Sequence, residues 1–357
     1  MRESSCGYCK KSNTKADIQM KERIVFLDTI KGFAILLVVM GHTIAWTYPN
    51  WENICLFNQQ ESIEVMIGGV LWQIIYTFHM ALFFMVSGYL MHNSSITKSI
   101  FFQKLKAKTL RLLLPYLATG YLIYFVRGTW GYWFLLSLYE LSVLGLLVNI
   151  CSNHFNRQHK FINDLLLLGV IYLILRVFTV IPVTSAFVDY GLVKYFIPFF
   201  FGFLLKKYEM LQTIVRHPYT FTTSLVLFVL FFISRYLTLV PPLYLVISKL
   251  DYFLSLHALL GCIVFFHLFM KGINKQIEVF LIYLGKHSMP IYILHNLFVI
   301  QITEIGLFIL HQNPVTSITL QILYSFVVGI VAIGLCILTY KFLYRSSAIR
   351  LLMFGES

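Results

Sequence analysis

A chain of 357 residues with 59% hydrophobic and only 12% charged side chains, and a mean hydropathy of +0.78, lies far outside the range of soluble globular proteins. It reads as an integral membrane protein. The formal net charge of +13 needs no nucleic acid to explain it, because the basic residues fall where a membrane topology puts them.

The N-terminal tail, residues 1–24, is polar. Its CGYC stretch gives Cys6 and Cys9 redox or zinc spacing, but a lone CxxC lacks a second ligand pair, and no metal is expected. No apolar h-region precedes the charges, so a cleaved signal peptide is not expected and the first span should direct insertion. Ten windows then follow in order, each near the roughly 20 residues needed to cross a hydrocarbon core: 29–48, 65–91, 109–127, 132–150, 162–181, 187–205, 219–239, 251–270, 279–310 and 318–343. They predict an all-α, polytopic helical bundle of about ten transmembrane helices. Placing both termini in the cytoplasm puts nearly all of the 28 Lys and Arg residues on the inner side. Arg127, Arg235 and Lys249 alone fall outside, and Arg176, Lys194 and Lys286 lie within or at the edges of spans. Such asymmetry is the positive-inside pattern. Cys55, Cys151, Cys262 and Cys336 are scattered singly and read as small apolar residues.

The first span, DTIKGFAILLVVMGH (28–42), poses a chemical question. A helix advances about 1.5 Å and 100° per residue, so Lys31 and His42 share a face, with the imidazole about 16 Å deeper. Asp28 joins that face at i, i+3 spacing. The bland alternative is a snorkelling lysine, a headgroup carboxylate and a histidine bonded to a neighbouring helix. His79 in the second span and His295 in the ninth lie at similar depth, with Ser87, Gly88, Tyr89 and Tyr292 nearby in sequence. Titratable rings inside a membrane are costly and mark functional sites, and a neutral imidazole there can accept a proton. Glu140 and Arg176 are also costly, with no role beyond pairing or lining a path.

LDTIKGFAILLVVMGH, FHMALFFMVSGYL, KAKTLRLLLPY, WFLLSLY, KYFIPFFFGFLLKK and LGKHSMPIYILHNLF stand in an order that resembles the membrane acyltransferases of the acyltransferase 3 group. The fucose 4-O-acetylase-like branch is the nearest in pattern. Lys31 stands where many members carry Arg, Lys108 precedes Arg111 where many carry paired Arg, and Ala81 replaces a common proline. Lysine keeps the charge and loses the bidentate fork.

The resemblance assigns residues 25–345 to the acyltransferase domain, leaving 346–357 as a short cytoplasmic tail. It implies O-acyl transfer, acetyl foremost, from acyl-CoA to a hydroxyl of a carbohydrate, either a cell-surface polysaccharide or a lipid-linked sugar. Acetyl-CoA would be a co-substrate, with no bound cofactor, in a multi-pass protein of the cell membrane in contact with its lipids. His42 is the expected general base, supported by Asp28 and by Lys31, which would meet the donor pyrophosphate or hold Asp28; an acyl-His relay is the alternative route. Lys108 and Arg111, in the basic segment KSIFFQKLKAKTLR, would bind donor phosphates, and His79, Ser87, Tyr292 and His295 would contact substrates. The competing class is a transporter or flippase of a polar or lipid-linked sugar, which would favour inverted repeats with matched broken helices; the sequence has no such repeat.

Overall fold

The computed structural model describes residues 15–47, 63–92, 96–127, 131–155, 159–180, 190–236, 251–299 and 302–356. The CGYC tail, Cys55 and the outer loop after the first span lie outside them. Among the described residues all regular structure is helical.

Helix α1 (Lys15–Thr47) is followed by α2 (Ile63–Met91) and the basic α3 (Lys98–Lys108). A π-helical turn, Thr109–Leu113, joins α3 to α4 (Leu114–Arg127). Pro115 explains the wide turn: it has no N–H to donate, and its ring would clash with the carbonyl four residues earlier in a regular helix. Next come α5 (Trp133–Asn153), α6 (Lys160–Val180), α7 (Tyr190–Lys207), α8 (Glu209–Arg216), α9 (Pro218–Tyr236) and α10 (Asp251–Met270). The chain closes with α11 (Lys275–Lys286), α12 (Ser288–Phe298), α13 (Thr303–Leu310), α14 (Pro314–Leu343) and α15 (Ser347–Phe354).

Five of these, α1, α2, α5, α6 and α14, are long and apolar enough to cross a membrane, or up to seven spans if α8–α9 and α11–α12 each count as one bent span. This is a multi-pass membrane protein. The window 279–310, expected as a single span, is instead three helices, with α11 and α12 bent by 82° at His287. Proline again supplies the reason. Pro290 cannot continue a helix through Lys286, but it is tolerated in the first turn of a new one.

Two reciprocal glycine contacts hold the bundle together. A Cβ on Gly88 of α2 would strike the Phe199 carbonyl of α7, and one on Gly202 of α7 would strike the Met85 carbonyl of α2. Gly32 of α1 and Gly285 of α11 stand in the same relation to the carbonyls of Leu281 and Asp28. Between lipid-embedded helices there is little hydrophobic driving force, and backbones this close gain dispersion contacts instead. A buried ion pair adds a polar tie. Asp164 of α6 pairs with Lys207 of α7 and accepts hydrogen bonds from the hydroxyls of Ser152 and Tyr208, both at 2.5 Å.

Candidate active site

Asp28 and Lys31 form the expected i, i+3 ion pair at 2.6 Å. It sits where α11 crosses α1, since Gly285 packs on the Asp28 carbonyl. Further along α1, half-buried His42 meets the other two predicted imidazoles through a cluster of rings. The rings of His42 and His295 are 4.8 Å apart, centre to centre. Tyr76 lies 6.1 Å from His42 and 4.8 Å from His79, and so bridges them.

Backbone carbonyls set the two deeper histidines. His79 Nδ1 lies 2.6 Å from the Ile75 carbonyl, and His295 Nδ1 lies 2.6 Å from that of Tyr292. A carbonyl only accepts, so each Nδ1 carries the hydrogen and in the neutral ring Nε2 is left with a lone pair. The Nε2 of His295 is buried and has no hydrogen-bond partner among the described residues. It is a buried acceptor on a ring that belongs to the cluster.

Tyr292 lies one turn before His295, with ring centres 5.7 Å apart, and touches Tyr132 at 5.8 Å and Phe134 at 5.1 Å. Tyr132 is the residue that fixes this wall. Its φ of +67° is the sole left-handed value at a non-glycine position among the described residues, a conformation that costs about 1–2 kcal/mol for an L-residue. Its ring is buried and its hydroxyl donates to the Ile293 carbonyl at 2.5 Å. The strained turn therefore ties the start of α5 to α12. Backbone strain held in place by packing is characteristic of functional sites.

Toward the other end of α12, Arg111 lines a cavity of about 560 Å3 with Ala107, Leu110, Met289, Tyr344, Phe354, Gly355 and Glu356. Segments distant in sequence meet here: the basic turn before α4, the start of α12, and α15. Lys108 sits beside Arg111. Burial first, then the charges of Arg111 and Lys104, push its ammonium down to about 8. Met289 and His295 are six residues apart on α12, about 9 Å along a helix, so this short helix joins the cavity lined by Arg111 to the histidine cluster.

The predicted residues thus divide into His42, His79, Tyr292 and His295 in one cluster, Lys108 and Arg111 at the cavity, and Asp28 with Lys31 at the α1–α11 crossing. Ser87 is not brought in. It lies eight residues beyond His79, about 12 Å along α2, beside the Gly88 crossing. Tyr76, Tyr132 and Lys194 were missed. Tyr76 follows Trp72 at i, i+4 and precedes His79 at i+3, a helical face that periodicity could have revealed. Lys194, whose Nζ lies 5.3 Å from the Tyr195 ring centre, is near enough for its charge to reach His79; its charge in the apolar window 187–205 was the available signal. Tyr132 gave none, since a positive φ at tyrosine has no sequence signature. Among the described residues no three His, Cys, Asp or Glu side chains are grouped to hold a metal ion.

The acyltransferase domain family matches residues 24–341. Nodulation protein NolL of Sinorhizobium fredii (strain NBRC 101917 / NGR234) is 29% identical over 219 residues, 55% of this chain and 52% of that protein. The chain thus spans about half the length of this curated relative. No solved structure matches.

Proposed function

The chain belongs to the acyltransferase 3 family, and on that premise we propose that it moves an acetyl group from acetyl-CoA to a hydroxyl of a carbohydrate, at the cell membrane and with both termini cytoplasmic. The observation that carries the reading is α12, which begins at the cavity lined by Arg111 and bears His295 in its last turns, 4.8 Å from His42 ring to ring. Donor and acceptor chemistry each have a place along one helix.

In this reading the donor phosphates meet Arg111, whose guanidinium forks onto phosphate oxygens, and Lys108 beside it. The acyl thioester lies toward the imidazoles. A sugar hydroxyl is a weak nucleophile until a base takes its proton. His42 accepts that proton as the hydroxyl oxygen attacks the thioester carbonyl; the C–O bond forms, the C–S bond breaks, and the coenzyme A thiolate leaves and is reprotonated. His295, with Nδ1–H held by the Tyr292 carbonyl, offers Nε2 to accept from a neighbouring hydroxyl of the sugar and so orient the ring. The transfer is direct, with no cofactor beyond the donor.

The test is incubation of the purified full chain in lipid nanodiscs with labelled acetyl-CoA and a panel of mono- and oligosaccharides. Alkali-labile label on a glycan is the expected product. Acetyl-CoA binding without transfer to any glycan would overturn the carbohydrate acceptor.

A further inference from the structure

Helix α14 carries a pattern that the acyl-transfer chemistry above does not use. Ser317, Gln321, Ser325, Gly329 and Ile333 recur every four residues and are all buried, whereas Leu323, Val327 and Val331 are more than half exposed. One half of this inward ridge is small or apolar and the other half is polar. Ser325 returns its hydroxyl to the Ile322 carbonyl at 3.2 Å. Gln321 is different: 1% of it is exposed, and neither its amide oxygen nor its amide nitrogen has a hydrogen-bond partner among the described residues. The fully buried hydroxyl of Ser317, one turn away, is in the same condition. Buried amides and hydroxyls without partners are expensive anywhere, and more so in a segment surrounded by lipid.

Neighbouring contacts fix where these groups lie. At the far end of α14, Tyr340 bonds Glu356 at 3.1 Å, and Tyr344 and Glu356 both line the cavity that holds Arg111. In mid-helix, a Cβ on Gly329 would contact Met40 of α1, two residues before His42. Gln321 precedes Gly329 by eight residues, about 12 Å, in the direction away from the cavity. It therefore lies about 9 Å beyond the level of His42, and Ser317 lies one turn further. Helix α2, which packs against α14, bears Trp72 stacked on Tyr76 at 4.0 Å, and Tyr76 touches His42.

We propose that Ser317 and Gln321 line the route by which a polyhydroxylated acceptor reaches His42 from the side opposite the donor cavity, with the Gln321 amide as a specificity determinant. An amide offers two N–H donors and a carbonyl acceptor, a match for neighbouring sugar hydroxyls that both donate and accept. The Trp72–Tyr76 stack supplies apolar surface for the C–H face of a pyranose. Calling this molecule the acceptor rests on the acyl-transfer reading.

The experiment measures binding without turnover. Full-length protein in nanodiscs is titrated with the methyl glycosides of glucose, galactose, mannose and fucose by saturation-transfer NMR, and separately with acetyl-CoA. The expected result is binding of at least one glycoside by the wild type, weakened about tenfold or more in Gln321→Leu and less in Ser317→Ala, with acetyl-CoA affinity unchanged in both. Absence of glycoside binding by the wild type, or equal affinity in the variants, overturns the proposal. Where Gln321→Leu fails to fold, Ser317→Ala decides alone. A wild type that binds glycosides through Gln321 yet transfers no acyl group would end the acyl-transfer reading and leave the carbohydrate site standing.

Discussion

Replacing Lys207 by Met should destabilise the bundle more than loss of any of its exposed cations. Asp164 exposes 1% of its side chain and Lys207 6%. With the ammonium gone, the carboxylate keeps only the neutral hydroxyls of Ser152 and Tyr208. Stripping one partner from a buried ion pair costs about 3–5 kcal/mol. The double variant Asp164→Asn/Lys207→Met buries no charge, and its loss should be no more than about 2 kcal/mol, because replacing a whole buried pair is often neutral. Each single variant should cost about 3–5 kcal/mol, so a double-mutant cycle should give a coupling of about 4 kcal/mol or more. The Asp28–Lys31 pair is the internal control. Its side chains are 12% and 27% exposed, so its coupling should be smaller than that of Asp164–Lys207. Equilibrium unfolding in mixed micelles, followed by helicity, reads both cycles. A coupling for Asp164–Lys207 no larger than that for Asp28–Lys31 would refute the argument from burial.

Neutralising Lys108 and Arg111 together should raise KM for acetyl-CoA and leave KM for the acceptor unchanged, measured in steady-state kinetics. Because Lys108 is pushed down to about 8, it is charged below that pH and neutral above, so acetyl-CoA affinity in calorimetry should fall as pH rises through that value. Lys108→Arg, which stays charged, should flatten the profile. Lys31→Arg should keep donor affinity, while Lys31→Met, which breaks the 2.6 Å contact with Asp28 and removes the charge, should weaken it by about 1.5–3 kcal/mol; calorimetry with a non-hydrolysable analogue separates a donor role from a lipid anchor. Gly285→Ala forces α11 away from the Asp28 carbonyl and should cost about 1–3 kcal/mol as overpacking, read by the same unfolding assay.

The sequence made the membrane character legible because hydropathy sums over long windows. The Asp28–Lys31 pair and the shared depth of three histidines were legible because helical spacing is regular. The joining of those histidines was visible only as a convergence of depths, and the structure supplied the bridge, Tyr76. Breaks were harder to see. The segments on either side of His287 are apolar, and Gly285 to Ser288 with Pro290 are the short signals that 279–310 could not be one rod. Asp164 and Lys207 are 43 residues apart, so their pairing depends on which faces α6 and α7 present to each other, a tertiary fact that charge counts do not carry. Gln321 was passed over because one amide barely lowers the hydropathy of a window as apolar as α14.

If His42 takes the proton from the acceptor hydroxyl, its removal should slow ester formation and spare donor binding. The most direct test is a single-turnover measurement of acetyl transfer by wild type and His42→Ala in nanodiscs, both loaded with acetyl-CoA to equal occupancy and supplied with the same glycan acceptor. Insertion and donor binding should be normal in the variant, with ester formation slowed by about two to four orders of magnitude, the range a positioned general base contributes. Ester formation at the wild-type rate by the donor-loaded variant would contradict it.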